Sequence, residues 1–268
     1  MTVARRFLLD GRRSFVWWVV GAVAMVALTV ALWPSIRGQE QFEELIRELP
    51  EALKALFGSG EGIPFTSPAG YLHGRLFSLV FPMLVLIYGI GLGARAIAGH
   101  EEEGTLELVL AHPVTRARLA VERYLAVVGL VAGVTVAGLV AVLATAPLVG
   151  LLDGVAVGRV LVAGTAMFAI ALLHASIAFA VGAATGRRAV ATAAASALAV
   201  GSYLLQSLSA TTSALDWTSL ATPWQWYLDR NLLVQPPTLA VTVLPLALSA
   251  AAAVAGIRRF GRRDLRMP

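Results

Sequence analysis

Few residues of this 268-residue chain are of the types that carry out chemistry, and their spacing does not assemble any. His100-Glu101 opens like a zinc-hydrolase helix, but Gly104 stands where the second metal-binding histidine belongs. Ser176 lies two residues from His174, which puts the pair on different faces of a helix and leaves the serine without a base. A nucleotide-binding loop needs a glycine-rich turn ending in Lys-Ser or Lys-Thr, and the only lysine, Lys54, is followed by Ala55. Without cysteine there can be no disulfide, thiolate nucleophile or thiolate metal site. The chain is therefore expected to be no enzyme, with no catalytic residue, no metal site and no cofactor of its own.

The elements around these residues explain the lack of chemistry. The chain is 58% hydrophobic and only 14% charged, with a mean hydropathy of +0.77, too little charge to cover a soluble domain. Crossing about 30 Å of hydrocarbon takes about 20 apolar residues in a helix. Six runs qualify: Phe15–Trp33, Leu76–Ala98, Tyr124–Leu148, Val160–Ala184, Ala189–Leu208 and Thr238–Ile257. A lone span in lipid must satisfy its own backbone, so each run is predicted to be a helix. The fold class is an all-α, six-span membrane protein forming a single domain over residues 1–268.

A net charge of +5 could suggest nucleic acid, but the arginines sit in short clusters beside the apolar runs, so no nucleic-acid partner is expected. Of the 21 basic residues, 15 fall at the N-terminus, between spans two and three, between spans four and five, and in the C-terminal tail. With six spans these four segments share one face, and the positive-inside rule makes that face cytoplasmic. The location implied is a cell membrane crossed several times, with lipid as a partner and both termini inside. Residues 3–9 put Val3, Phe7 and Leu8 beside Arg5 and Arg6, the pattern of an interfacial helix that ends at Asp10-Gly11. On the outer side, residues 40–58 read as an amphipathic helix, and Ser67-Pro68 as the cap and first turn of the next helix. Trp217, Trp224, Trp226 and Tyr227 in the last outer loop read as interface anchors.

The long polar interruption, GHEEEGTLELVLAHPVTRARL from Gly99 to Leu119, falls on the cytoplasmic face. Thr105 can cap a short helix on which Leu106, Val109 and Leu110 share one side, with Glu101, Glu102 and Glu103 favouring its N-terminal end. Pro113 ends that helix, and Thr115 caps the one that continues through Arg116 into the third span. A short amphipathic helix set between two spans suits docking and the transmission of force from a partner.

These residues carry a resemblance. Glu101-Glu102-Glu103-Gly104-Thr105-Leu106-Glu107, followed by Leu110, Pro113 and Arg116, is similar to the acidic–Gly-Thr–Leu–Pro–Arg signature of the permease subunits of type-2 ATP-binding-cassette (ABC-2) transporters. Leu49-Pro50-Glu51-Ala52-Leu53 and Thr222-Pro223-Trp224-Gln225-Trp226-Tyr227-Leu228 resemble recurrent segments of the same family, in the branch whose ATPase is a separate polypeptide. The resemblance implies that the loop between spans two and three holds a coupling helix for that ATPase, comprising Glu101–Glu107, Val109, Leu110, Pro113 and Arg116. It implies two permeases, identical or paralogous, with two ATPases that bind ATP and Mg, and export of cargo such as drugs, antibiotics, lipids or peptides. It also points to spans two and five as the pair lining the path. There Gly89, Gly93, Thr192, Ser196, Ser202 and Gln206 offer small or mildly polar surface, suited to an amphipathic or hydrophobic compound.

Two other classes stay open. An ion-coupled secondary transporter usually needs intramembrane carboxylates, and the six runs contain no Asp or Glu. A non-transporting assembly scaffold could use the same fold. Topology is testable because the chain is free of cysteine. With Glu61→Cys, Thr105→Cys, Thr212→Cys and Met267→Cys examined singly in intact cells, an impermeant thiol reagent should label positions 61 and 212 only. Labelling at 105, or protection at 61, would overturn the orientation.

Overall fold

The computed structural model describes residues 3–39, 63–106, 114–209, 222–228 and 230–264, together with the isolated positions 44, 48 and 217. It is all-α. Six of its helices are long and apolar enough to cross a membrane: α1 (Val3–Ile36), α2 (Pro68–Glu102), α3 (Arg116–Thr145), α4 (Val157–Thr185), α5 (Arg188–Ser209) and α7 (Leu239–Arg262). A shorter helix, α6 (Pro223–Leu228), lies between the last two.

Local sequence sets several boundaries. The Ser67 hydroxyl accepts from the Gly70 amide at 3.1 Å and Pro68 fills the first turn, where its missing N–H costs nothing. The Thr115 hydroxyl accepts from the Arg118 amide at 3.2 Å and starts α3. Gly186 ends α4 in the left-handed region (φ 64°).

Two boundaries depart from the sequence expectations. Residues 3–9 form the first turns of α1 and not a separate interfacial helix. Gly11 weakens a helix by only about 1 kcal/mol and removes no hydrogen bond, and buried Phe7 packs against the His100 ring, with centroids 5.8 Å apart. The 34 residues of α1 span about 51 Å, so its ends project beyond the hydrocarbon. The second span begins at Pro68, earlier than Leu76. His73 and Arg75 interrupt the apolar run there, yet His73 is buried and Arg75 lies over the Phe65 ring at 5.7 Å. A π-helical stretch (Leu72–Phe77) leads to a break at Ser78-Leu79 before the helix resumes at Val80. The outer amphipathic helix expected over 40–58 lies outside the described residues, apart from positions 44 and 48.

The bundle is organised around α4, which packs against α2, α3, α5 and α7, while α1 leans chiefly on α3. In the most apolar stretch of each helix, 72% of α4 is buried against 17% of α1. Small residues permit this crowding. Gly89 and Gly93 of α2 meet Ala171 and Ala175 of α4, and a Cβ on Gly93 would stand 2.1 Å from the Ala175 carbonyl oxygen.

At the end of the bundle away from the arginine clusters, α6 tucks inward. Trp224 and Tyr227 are buried, and the Tyr227 hydroxyl donates to the Phe77 carbonyl at 2.6 Å. Burial pushes the Tyr227 phenol above its ordinary range. These two aromatics are core residues, unlike exposed Trp217, because their polar tips reach protein or lie enclosed and not at a headgroup layer.

Gly93→Ala should destabilise the detergent-solubilised chain by about 1–3 kcal/mol through overpacking at the α2–α4 crossing. Gly91, two residues away with open space around its Cα, should accept Ala without loss. Equal unfolding temperatures for the two variants would contradict this packing.

Candidate functional site

Four segments carrying the arginine clusters converge on the end of α2. There a π-helical turn (Arg95–Gly99) is followed by a last helical turn, His100–Glu102, and the chain reverses at Gly104 with φ 66°. The elbow is pinned from every side. Phe7 of α1 lies against His100. From α3, Arg123 is buried and donates Nη1 to the Ala96 carbonyl at 2.7 Å.

The acidic residues divide between two tasks. Glu101 is buried, and its carboxylate is gripped in bidentate fashion by Arg263, with Nη1 to Oε1 at 2.7 Å and Nη2 to Oε2 closer still. The same guanidinium donates Nε to the Ala183 carbonyl at 2.7 Å, satisfying a group in the last turn of α4 that its own helix leaves unpaired. Exposed Glu102 accepts at 2.9 Å from the backbone N–H of Arg188, the first residue of α5. Neighbouring glutamates thus hold the two sides of the α4–α5 turn, one through Arg263 and one directly. Gly186 sits in that turn, and a Cβ there would lie 2.8 Å from Glu101 Oε1. Glycine is required twice over, for its backbone and for room.

Glu103 is exposed, with Arg95 at 4.0 Å. The Thr105 hydroxyl turns back to the His100 carbonyl at 3.1 Å, with His100 Nδ1 at 3.0 Å, and so fastens the elbow, while the segment it was expected to cap lies outside the described residues from Glu107 on. Leu106 is 1% exposed and belongs to the bundle's own core, so it is closed to a docking partner in this structure. Glu107, Val109, Leu110 and Pro113 lie outside the described residues. Arg116 donates Nη1 to the Arg263 carbonyl at 2.7 Å.

The residues expected along a path separate in the same way. Gly89 and Gly93 face α4 of the same chain, and their lack of side chains is accounted for by that contact. Thr192 and Ser196 are partly exposed on α5. Ser202 is buried, its hydroxyl donating to the Ala199 carbonyl at 3.2 Å. Gln206 is enclosed, and its Oε1 has no partner among the described residues. Among the described residues no cluster of His, Asp or Glu has the makings of a metal site.

A multi-span helical bundle whose basic end folds around an acidic–Gly-Thr elbow is matched, over residues 1–265, by the family model described as "ABC-2 family transporter protein". The chain belongs to the ABC-2 transporter family. No curated protein matches the sequence. As an ABC-2 permease it is the membrane-spanning subunit of an ABC transporter, a kind of subunit that is generally non-catalytic and works with an ABC ATPase. Sequence reasoning reached Glu101–Leu106 and Arg116. It missed Arg263, Gly186, Arg188 and Arg123, whose only sequence signal was a surplus of arginine at helix ends and a glycine in the shortest turn.

Gly186→Ala should cost about 1–2 kcal/mol for left-handed backbone alone and more as the new methyl group displaces Glu101. Gly154, also left-handed (φ 77°) but with nothing within 4 Å, should show the backbone cost only. Thermal unfolding of the two variants side by side measures the difference, and equal losses would mean that Glu101 is free to move aside.

Proposed function

We propose that the chain is the permease of an exporter for amphipathic or hydrophobic compounds, with an ABC ATPase docked on the cytoplasmic 99–119 loop. The observation that supports it best is the elbow. A chain with no nucleotide-binding loop of its own ties the ends of five spanning helices around one acidic turn, and leaves Glu102 and Glu103 exposed beside it. A partner that moves this turn engages the whole bundle. The exposed glutamates give the loop an acidic rim that steers a basic groove.

Two permeases and two ATPases make the working unit, the permeases related by a two-fold axis. The path runs between α2 and α5 of the two copies. On α2 the outward face is Ile87 and Gly91, since Gly89 and Gly93 serve the α4 contact. On α5 Thr192 and Ser196 are partly open to it, and Gln206 lies deeper in the protein with an acceptor that has no partner among the described residues. Such a lining has hydrogen-bonding capacity but no fixed charge, which suits a compound with both apolar and polar parts better than a bare ion. The location is the plasma membrane of a prokaryotic cell.

Purification of the tagged chain from its native membrane, with the bound proteins and small molecules identified, tests the reading. An ABC ATPase should co-purify, and Glu103→Arg should weaken its capture at least about tenfold by placing like charges together. Cysteine pairs between 80–92 of one copy and 192–206 of the other should cross-link, with yields that change when ATP is trapped. A complex without an ATPase, or inter-copy cross-links confined to α3 and α4, would overturn it.

A further inference from the structure

Arg263 stands just past the last turn of α7, in extended backbone (φ −95°, ψ 153°). Its side chain is 11% exposed and meets three helix ends at once. It donates to both carboxylate oxygens of Glu101 on α2, donates to the Ala183 carbonyl on α4, and lies over the Phe260 ring of α7 at 5.7 Å. Its own carbonyl accepts from Arg116 at the start of α3.

We propose that Arg263 is a positioning residue for energy coupling, carrying displacement of the Glu101 elbow across to α4 and α7. The inference rests on the reading of this elbow as the ATPase contact. Two routes lead from the elbow into the membrane. One runs up α2 itself, where the Arg95–Gly99 π-helical turn interrupts the regular hydrogen-bond ladder and gives a place to yield. The other crosses the bidentate pair, whose planar fork resists both rotation and sliding. Beyond the pair, α4 and α7 move together, because Gly256 brings α7 against the α4 backbone, with a Cβ there only 2.8 Å from Ala180 Cα. The clamp therefore delivers a push on a surface loop to the central helix and to its neighbour. Lysine cannot replace arginine here, since one ammonium does not span two carboxylate oxygens and a carbonyl.

The test uses the complex purified with its ATPase and placed in lipid nanodiscs. Leu239→Cys puts a thiol at the far end of α7 from Arg263, where the native leucine is 79% exposed. Its labelling rate by a maleimide should differ between the nucleotide-free and the ATP–vanadate-trapped complex. In Arg263→Gln the ATPase should still co-purify and hydrolyse ATP, while the ratio of the two labelling rates falls about fivefold or more toward one, the size of a typical coupling loss. Arg263→Lys, which keeps the charge, should also lose most of the ratio, and it serves as the second variant should the glutamine form fold poorly. If either variant keeps the wild-type ratio while only its unfolding temperature falls, Arg263 is a static staple and the inference is overturned. A wild-type chain that captures no ATPase overturns the proposed function, and this inference with it.

Discussion

Irregular backbone and C-terminal helix ends leave carbonyls without partners, and this bundle covers several of them with arginine. Arg123 covers Ala96 in the π-helical turn of α2, Arg263 covers Ala183 in the last turn of α4, Arg116 covers the carbonyl of Arg263 just past α7, and at the opposite end Arg159 donates to the loop carbonyl of Gln235 at 2.6 Å. Where protein encloses such a group, as around buried Arg123, leaving it unpaired costs more than it would on an open surface. A guanidinium answers several such groups at once, because its five donors fan out in a plane. The clusters that orient the protein by charge thus also tie its helices together. The carboxylates of Glu101 and Glu102 are the counterweights that let this end be buried.

Most of the fold was legible from the sequence because the bilayer imposes it. A thickness of about 30 Å fixes span length, and no alternative to the helix exists for a lone segment. Ser67 and Thr115 were legible as caps because a short hydroxyl side chain before a proline or an apolar run has one favourable local use. The reach of the second span back to that cap was not legible: hydropathy counts His73 and Arg75 as polar, and the fold buries one and lays the other over Phe65. Trp224 and Tyr227 misled for a related reason. An aromatic residue at a span end looks the same in sequence whether its polar tip faces headgroups or the carbonyl of Phe77.

The candidate site was half legible. A run of glutamates reads as solvated surface, and Glu102 and Glu103 are exposed as such a reading implies. Glu101, in the same run, is buried by a partner 162 residues away, and no local pattern announces a pairing at that distance. Leucine spacing likewise cannot tell a face that meets another protein from one that meets the chain's own core, which is where Leu106 lies.

The separation of Glu101 from Arg263 also bears on how the protein is made. At about 5–20 residues per second, roughly 10–30 s of synthesis separate the two. Throughout that interval Glu101 lacks the guanidinium that grips it in the folded chain, while α4, the helix that α2 needs for its packing, is made. Arg263 follows α7, so it leaves the ribosome only after α4 and α7 have been made, and it brings the counterion. Closure of the ion pair thus waits until α2, α4 and α7 have all been made, and a chain truncated before Arg263 would leave Glu101 without the guanidinium that seals it.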